Sequence, residues 1–199
     1  MYRLCIDPLL RGVRKKVYDL LEPGSSVIDV GCGTGALVFQ LANKASSVWG
    51  VDVSREMITG ARKKQEKQKM RQVHFLALDA TGLATLTGHF FDYACLSMVL
   101  HQVSLSEGRR FLNELTPLAK TIILADYNWP MPTHWAGKGA SLIEKKAGGE
   151  HYRNFLTFQE HHGLHYYLAN SYWHLQERFH IGLGIIEILK LSKEEKIKS

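Results

Sequence analysis

The stretch from Val27 to Gly35 joins an apolar run to a glycine-rich turn. It reads Val-Ile-Asp-Val-Gly-Cys-Gly-Thr-Gly, with a carboxylate at Asp29 and glycines at alternate positions, Gly31, Gly33 and Gly35. Glycine adopts positive φ at little cost and lets a ligand approach bare backbone. A strand, a glycine turn and then a helical apolar period are typical of a nucleotide site at the carboxyl end of a parallel sheet. The stretch therefore predicts a nucleotide-type ligand.

Aspartates follow the next two apolar runs, at Asp52 and Asp79. Gly31-x-Gly33-x-x-Ala36 together with Asp52 also satisfies the fingerprint of a nicotinamide dinucleotide site. The carboxylate of Asp29 favours a different ligand, because it would repel a pyrophosphate and attract a ligand that carries an ammonium and a sulfonium.

Strands alternate with helices along most of the chain, which predicts an α/β fold with a doubly wound, Rossmann-like, mostly parallel sheet. The last two strands are joined by a tight turn near Gly182 and form an antiparallel hairpin. The predicted strands are 26–30, 48–53, 73–79, 91–97, 121–126, 172–181 and 184–191, which makes a seven-stranded sheet.

Two segments outside this alternation are predicted to cover the site. Residues 1–23 form a helix that covers the sheet edge and acts as a lid. Residues 127–170 form a substrate-covering insertion, irregular to about residue 150 and helical from 151. Long loops inside a compact domain are usually functional. The whole chain, 1–199, is expected to be a single domain.

Composition narrows the class of protein. The chain has 199 residues, a formal net charge of +6 and no apolar run long enough to span a membrane, so a cytoplasmic protein is expected. Much of the positive charge lies in residues 62–71, which read as the solvated face of a helix, without the aromatics that stack on single strands. Three scattered cysteines indicate neither a disulfide framework nor a zinc site.

The motif Asp-Val-Gly-Cys-Gly-Thr-Gly closely resembles the first motif of class I S-adenosylmethionine (SAM) dependent methyltransferases. The resemblance covers residues 25–126 by motif and the rest by order of elements, including the closing hairpin. It is closest to small-molecule enzymes such as those of quinone biosynthesis. It implies SAM as cofactor and S-adenosylhomocysteine as product.

The resemblance also implies a set of cofactor contacts. Asp29 would face the ammonium group, Asp52 would bind both ribose hydroxyls, and Asp79 would bind the adenine amino group, although an aspartate after a strand is often only a cap or turn former. The implied cofactor-binding residues are Asp29, Gly31, Cys32, Gly33, Gly35, Asp52, Val53, Met57, Asp79, Ala80, Leu96 and Ser97.

Candidates for a general base follow the fourth and fifth strands. They are His101, Asp126 and Tyr127, and a base is needed only if the acceptor must lose a proton. A histidine that merely packs on the sheet is an equally good interpretation of His101. No metal site is predicted, because His161 and His165 share a helical face but lack a nearby carboxylate in a metal-binding spacing.

The predicted reaction is in-line methyl transfer from SAM to a small-molecule acceptor. The Asn/Asp-Pro-Pro-aromatic motif of nucleic-acid amino-methyltransferases is replaced here by Cys95-Leu96-Ser97-Met98, which argues against a nucleic-acid partner. A lipid headgroup acceptor would suit the basic surface and Trp129 with Trp135. The alternative from another class is a catalytically silent SAM-binding subunit.

Overall fold

Seven strands form one sheet in the computed structural model, which describes residues 2–79, 81–86, 88–169 and 171–193. Within these ranges the strands are β1 (Ser26–Val30), β2 (Ser47–Asp52), β3 (Val73–Ala77), β4 (Phe91–Ser97), β5 (Ala119–Tyr127), β6 (Trp173–Ile181) and β7 (Ile186–Lys193). Their order across the sheet is β3-β2-β1-β4-β5-β7-β6; β1 to β5 pair in parallel, and β7 runs antiparallel to both β5 and β6. The predicted α/β fold with a doubly wound sheet and a closing antiparallel hairpin is confirmed.

The order of strands reverses between β1 and β4. Asp29 of β1 lies opposite Gly50 of β2 on one side and Cys95 of β4 on the other. The crevice outside the carboxyl ends of such a strand pair is where doubly wound folds bind their ligands. The glycine turn after β1 therefore opens onto the ligand-binding edge of the sheet.

Helices cover both faces of the sheet, and none of those in the described ranges is long and apolar enough to cross a membrane. They are α1 (Tyr2–Leu20), α2 (Ala36–Leu41), α3 (Arg55–Gln68), α4 (Leu105–Leu115), α5 (Trp135–Ala147), α6 (Gly149–Glu160) and α7 (His165–Leu168), with a 3₁₀ turn at Gly82–Leu86. Ser54 and Ser104 accept hydrogen bonds from the first-turn amides of α3 and α4 and so fix where these helices begin.

The core lies along the central strands. Ile28 of β1, Ala94 of β4 and Ile122 of β5 are fully buried, as expected for parallel strands with helices on both faces. The antiparallel β7 is also buried over Ile186–Leu189, since β5 and β6 flank it. This rigid centre holds the strand ends that carry the predicted site residues.

The prediction of an irregular segment over residues 127–150 is wrong for most of its length, because α5 occupies 135–147. His134 starts this helix: its Nδ1 accepts from the amides of Ala136 and Gly137. Gly148, at φ 69°, separates α5 from α6. The single helix predicted over 151–170 is likewise broken, since the backbone takes positive φ at His162 and Gly163.

Candidate cofactor and acceptor site

The three glycines after β1 all have positive φ, at 75° for Gly31, 53° for Gly33 and 77° for Gly35. A Cβ atom on Gly31 would lie 2.4 Å from Cγ2 of Val99, and one on Gly35 would lie 2.6 Å from the Phe75 ring. A Cβ on Gly33 would meet no atom within 4 Å. Two glycines therefore allow close packing of the turn, whereas Gly33 faces open space in which a ligand can approach the backbone.

Asp52 ends β2 beside this turn. Its Oδ2 accepts a hydrogen bond from the Gly33 amide at 2.8 Å, and its Oδ1 accepts one from the Ser54 amide at 2.9 Å. The carboxylate is thus held between the glycine turn and the start of α3. Each carboxylate oxygen has capacity for a further hydrogen bond, so Asp52 can also accept from the hydroxyls of a ligand.

Asp29 is a buried carboxyl group, with only 2% of its surface exposed. Burial, reinforced by the charge of Asp52, raises the pKa of Asp29 to about 8. Desolvation disfavours the charged form of an acid, and a nearby cation would favour it again. Asp29 is therefore poised to pair with a positively charged group of a ligand.

Cys32 and Asp79, two further predicted cofactor residues, have different local roles in the structure. Cys32 is buried, and burial together with Asp29 and Asp52 raises the pKa of its thiol, so it serves as a packing group. Asp79 lies two residues beyond the end of β3 and accepts from the Gly82 amide at 2.8 Å, which caps the 3₁₀ turn. Ala80 lies outside the described residues.

The remaining four predicted contacts differ in how exposed their side chains are. Val53 and Met57 are exposed on the loop after β2 and the first turn of α3. Leu96 is buried, so only its main chain remains available to a ligand, and Ser97 is half-buried at the end of β4.

A buried polar cluster lies beyond the ends of β4 and β5. Asp126 accepts from His101 Nδ1 at 2.6 Å and from the backbone amides of His101 at 3.2 Å and Tyr127 at 2.7 Å. The Tyr127 hydroxyl donates to Glu144 Oε1 at 2.6 Å, and Glu144 Oε2 contacts His151 Nε2 at 2.5 Å. The structure thus brings the three predicted catalytic residues together and adds two that the sequence analysis missed, Glu144 and His151.

His101 is enclosed in this cluster with 2% of its surface exposed. Burial lowers the pKa of His101, but the charge and hydrogen bond of Asp126 and the charge of Glu144 outweigh burial, so the pKa is raised. The His101 ring is surrounded by Asp126, Glu144 and Tyr127, and of these four residues only Tyr127 lines the adjacent cavity.

A cavity of about 680 Å³ lies next to this cluster, between α1, α5 and the turn that joins β6 to β7. Its walls are mainly aliphatic and aromatic, and they include Tyr127, Met98 after β4 and Ile143 of α5. Met98 is a third site residue that the sequence analysis missed, and its positive φ of 59° marks the sharp turn there. The size and lining suit a small apolar molecule.

The two tryptophans of the segment after β5 have different surroundings. Trp135 lines the cavity at the start of α5. Trp129 packs instead against the His162 ring, with 4.3 Å between the ring centroids. His161 and His165 also have different partners: the His161 ring packs on Tyr166, and His165 Nε2 lies 3.4 Å from Glu187 Oε2.

Comparisons with known proteins agree with this geometry. A family model described as a methyltransferase domain matches residues 27–121. The ubiquinone biosynthesis O-methyltransferase of Saccharomyces cerevisiae is 31% identical over 163 residues, which cover 77% of this chain and 52% of the yeast protein. The magnesium-protoporphyrin O-methyltransferase of Synechocystis is 30% identical over 107 residues, which cover 53% of this chain and 45% of that protein.

A solved structure of the magnesium protoporphyrin IX methyltransferase from Synechocystis, with bound S-adenosylhomocysteine, shares the fold. Its TM-score is 0.64 at 22% identity, over 96% of this chain and 85% of that chain. This chain spans about half the length of the two curated relatives. The glycine turn, the aspartates in β1, at the end of β2 and just beyond β3, the strand order and these matches together identify residues 27–121 as a methyltransferase domain of the class I SAM-dependent family.

Proposed function

We propose that this chain transfers the methyl group of SAM to an oxygen atom of a small, mainly apolar acceptor. The observation that carries the proposal is the cavity between α1, α5 and the β6–β7 turn, which borders the carboxyl ends of β4 and β5. Val99 packs directly against Gly31 of the cofactor turn, and its neighbour Met98 lines the cavity. One short loop therefore contacts both proposed binding sites.

In the proposed cofactor site, three aspartates bind the polar groups of SAM. Asp52 would bind the ribose hydroxyls, Asp29 the ammonium group and Asp79 the adenine amino group. Support comes from the open space over Gly33 and from the two backbone amides that already hydrogen-bond to Asp52. Charged acceptors make short and strong hydrogen bonds to hydroxyl groups.

The proposed reaction depends mainly on how the protein positions the acceptor against the methyl group of SAM. Methyl transfer is a displacement at a carbon that the sulfonium already activates, so orienting the acceptor and excluding water account for most of the barrier reduction. The apolar wall formed by α1 and α5 suits both tasks. Residues 1–23 and 127–170 would thus act as the lid and the cover of the acceptor.

An oxygen acceptor that loses a proton needs a route for it. Tyr127 lines the cavity, and its hydroxyl donates to Glu144, which lies beside the His101–Asp126 pair. We infer that the acceptor's proton leaves through Tyr127 to Glu144. The names of the two curated relatives, both O-methyltransferases, support oxygen as the attacked atom.

The test is turnover of methyl-labelled SAM with a panel of hydroxylated aromatic molecules and a metabolite extract. We expect a labelled small-molecule product together with S-adenosylhomocysteine. SAM binding without transfer to any component would contradict the proposal and favour a silent SAM-binding subunit.

A further inference from the structure

In the buried cluster beside the cavity, His101 and Glu144 face each other without a hydrogen bond between them. His101 Nε2 lies 3.9 Å from Glu144 Oε2, beyond hydrogen-bonding distance. Asp126 accepts from His101 Nδ1, so Nε2 is the ring nitrogen that faces Glu144. This nitrogen and the carboxylate oxygen can both bind a cation placed between them.

His151 completes a set of three donors around this gap. One donor atom each from His101, Glu144 and His151 lies within 4.8 Å of the others. Ligand distances of 2.0–2.2 Å around a tetrahedral zinc ion place donors about 3.4 Å apart. His101 Nε2 and Glu144 Oε2, now 3.9 Å apart, would therefore approach by about 0.5 Å, and Glu144 Oε2 and His151 Nε2, now 2.5 Å apart, would separate by about 0.9 Å. Two imidazoles and a carboxylate form a common donor set for this ion, which leaves a fourth position open.

The charge balance of the cluster also calls for a cation. Asp126 and Glu144 are both buried, and within the described residues their ion pairs involve only the histidines His101 and His151. The buried Glu187 differs, since Arg178 lies 3.3 Å away and supplies a permanent positive charge. Buried carboxylates are costly unless they are paired or coordinate a metal ion.

We propose that His101, Glu144 and His151 bind one divalent transition-metal ion of the zinc class. Asp126 holds the His101 ring from behind, as a carboxylate commonly does for a metal-bound histidine. Tyr127 orients Glu144 through its second oxygen. The three ligands come from the loop after β4, from α5 and from α6, so the ion ties both covering helices to the sheet beside the acceptor cavity.

The test uses the purified chain after chelator treatment, without SAM or acceptor, so that its outcome is independent of methyl transfer. Co²⁺ is titrated while visible absorption is recorded, and Zn²⁺ is then added as a competitor. We expect one Co²⁺ per chain in a low-symmetry nitrogen and oxygen environment, displaced by Zn²⁺, with a higher melting temperature in the metal-bound state. Absence of a one-to-one complex would overturn the proposal and leave the cluster balanced by protons.

Substitutions of the proposed ligands test where the metal ion binds. His151→Ala and Glu144→Gln should each weaken Co²⁺ binding by roughly a hundredfold or more, and Asp126→Asn by about 10–100-fold. His165→Ala is the matched control, because its side chain is as exposed as that of His151, 32% against 31%, and also lies beside a buried glutamate. It should leave binding unchanged.

A complex retained in the His151→Ala and Glu144→Gln variants would overturn the assignment, as would one lost in His165→Ala alone. Circular dichroism checks that each variant folds. Should Glu144→Gln fail to fold, His151→Ala decides the test, because His151 is partly exposed and its loss leaves the buried core in place.

Discussion

The amide of Gly33 donates a hydrogen bond to Oδ2 of Asp52, with 2.8 Å between the two atoms. This bond joins the glycine turn after β1 to the tip of β2. The bond connects the two groups that a nucleoside would contact in the proposed site, the backbone of the glycine turn and the carboxylate of Asp52. The bond thus holds the glycine turn and the end of β2 together at the proposed cofactor site.

Replacing Asp52 should therefore weaken cofactor binding strongly. We expect Asp52→Ala to reduce SAM affinity by about 2–4 kcal/mol, because two charge-assisted hydrogen bonds to the ribose are lost and water compensates only in part. Isothermal titration calorimetry measures the change. Asp92→Ala is the control, since Asp92 binds Ser26 at the opposite end of β1. An unchanged dissociation constant in a folded Asp52→Ala variant would remove Asp52 from the site.

A second prediction separates two glycines of the same turn. In Gly33→Ala the new methyl group meets no protein atom, so the loss of stability should be limited to the strain of positive φ, about 1–2 kcal/mol. SAM affinity should nevertheless fall sharply, because the methyl group points into the space proposed for the ligand.

Gly31→Ala provides the comparison. Its methyl group would collide with Val99, so overpacking adds about 1–3 kcal/mol to the strain. Thermal melting without ligand should show the larger loss in Gly31→Ala, and calorimetry should show impaired SAM binding in both variants. If Gly33→Ala binds SAM normally, the open space over Gly33 is not part of the cofactor site.

The cofactor side of the site was predictable from sequence because its signals are local. The apolar run, Asp29 and the alternate glycines are contiguous, and each of the next two apolar runs ends in an aspartate, Asp52 or Asp79. Parallel strands bring their carboxyl ends to one edge, so the sequence order alone indicates that these residues converge. The structure adds the Gly33–Asp52 bond, which no spacing rule contains.

The acceptor side was harder to predict, because its residues are distant in sequence. Residues 135–147 contain two glycines and follow two prolines, a composition that favours a loop, yet tertiary packing and the His134 cap make them helical. Glu144 and His151 are seven residues apart on two helices that Gly148 separates. A spacing of seven residues places two side chains on one face only within a continuous helix, and the helix is broken between these two. Nothing in the sequence links either residue to His101, so only the fold reveals the cluster.

A pH-dependent affinity is expected from Asp29. Its pKa of about 8 in the free protein means that the carboxyl group is mostly protonated below that pH. If SAM binds the ionised form through its ammonium group, affinity should rise with pH between 6 and 8, by a factor that approaches ten per pH unit. Calorimetry across this range should also detect proton release on binding.

The Asp29→Asn variant provides the control, because a neutral amide cannot titrate. It should bind SAM more weakly at pH 8 and show a flat pH profile between 6 and 8. A rising profile that persists in this variant would assign the pH dependence to another group.

The last prediction concerns the two tryptophans after β5, which the sequence presents as equivalent. Trp135 lines the cavity, whereas Trp129 packs on His162 outside it. Trp135→Ala should raise the Michaelis constant for the acceptor at least tenfold, or about 1.4 kcal/mol, while the affinity for SAM changes less than tenfold. Trp129→Ala should leave both constants close to the wild-type values.

Because Trp135 is 79% exposed and Trp129 only 37%, loss of packing would destabilise the Trp129 variant more, so melting temperatures distinguish a stability defect from a binding defect. A parallel loss of acceptor and SAM binding in Trp135→Ala would mean that α5 supports the whole domain, and the acceptor would then have to bind on the side of the cavity formed by α1.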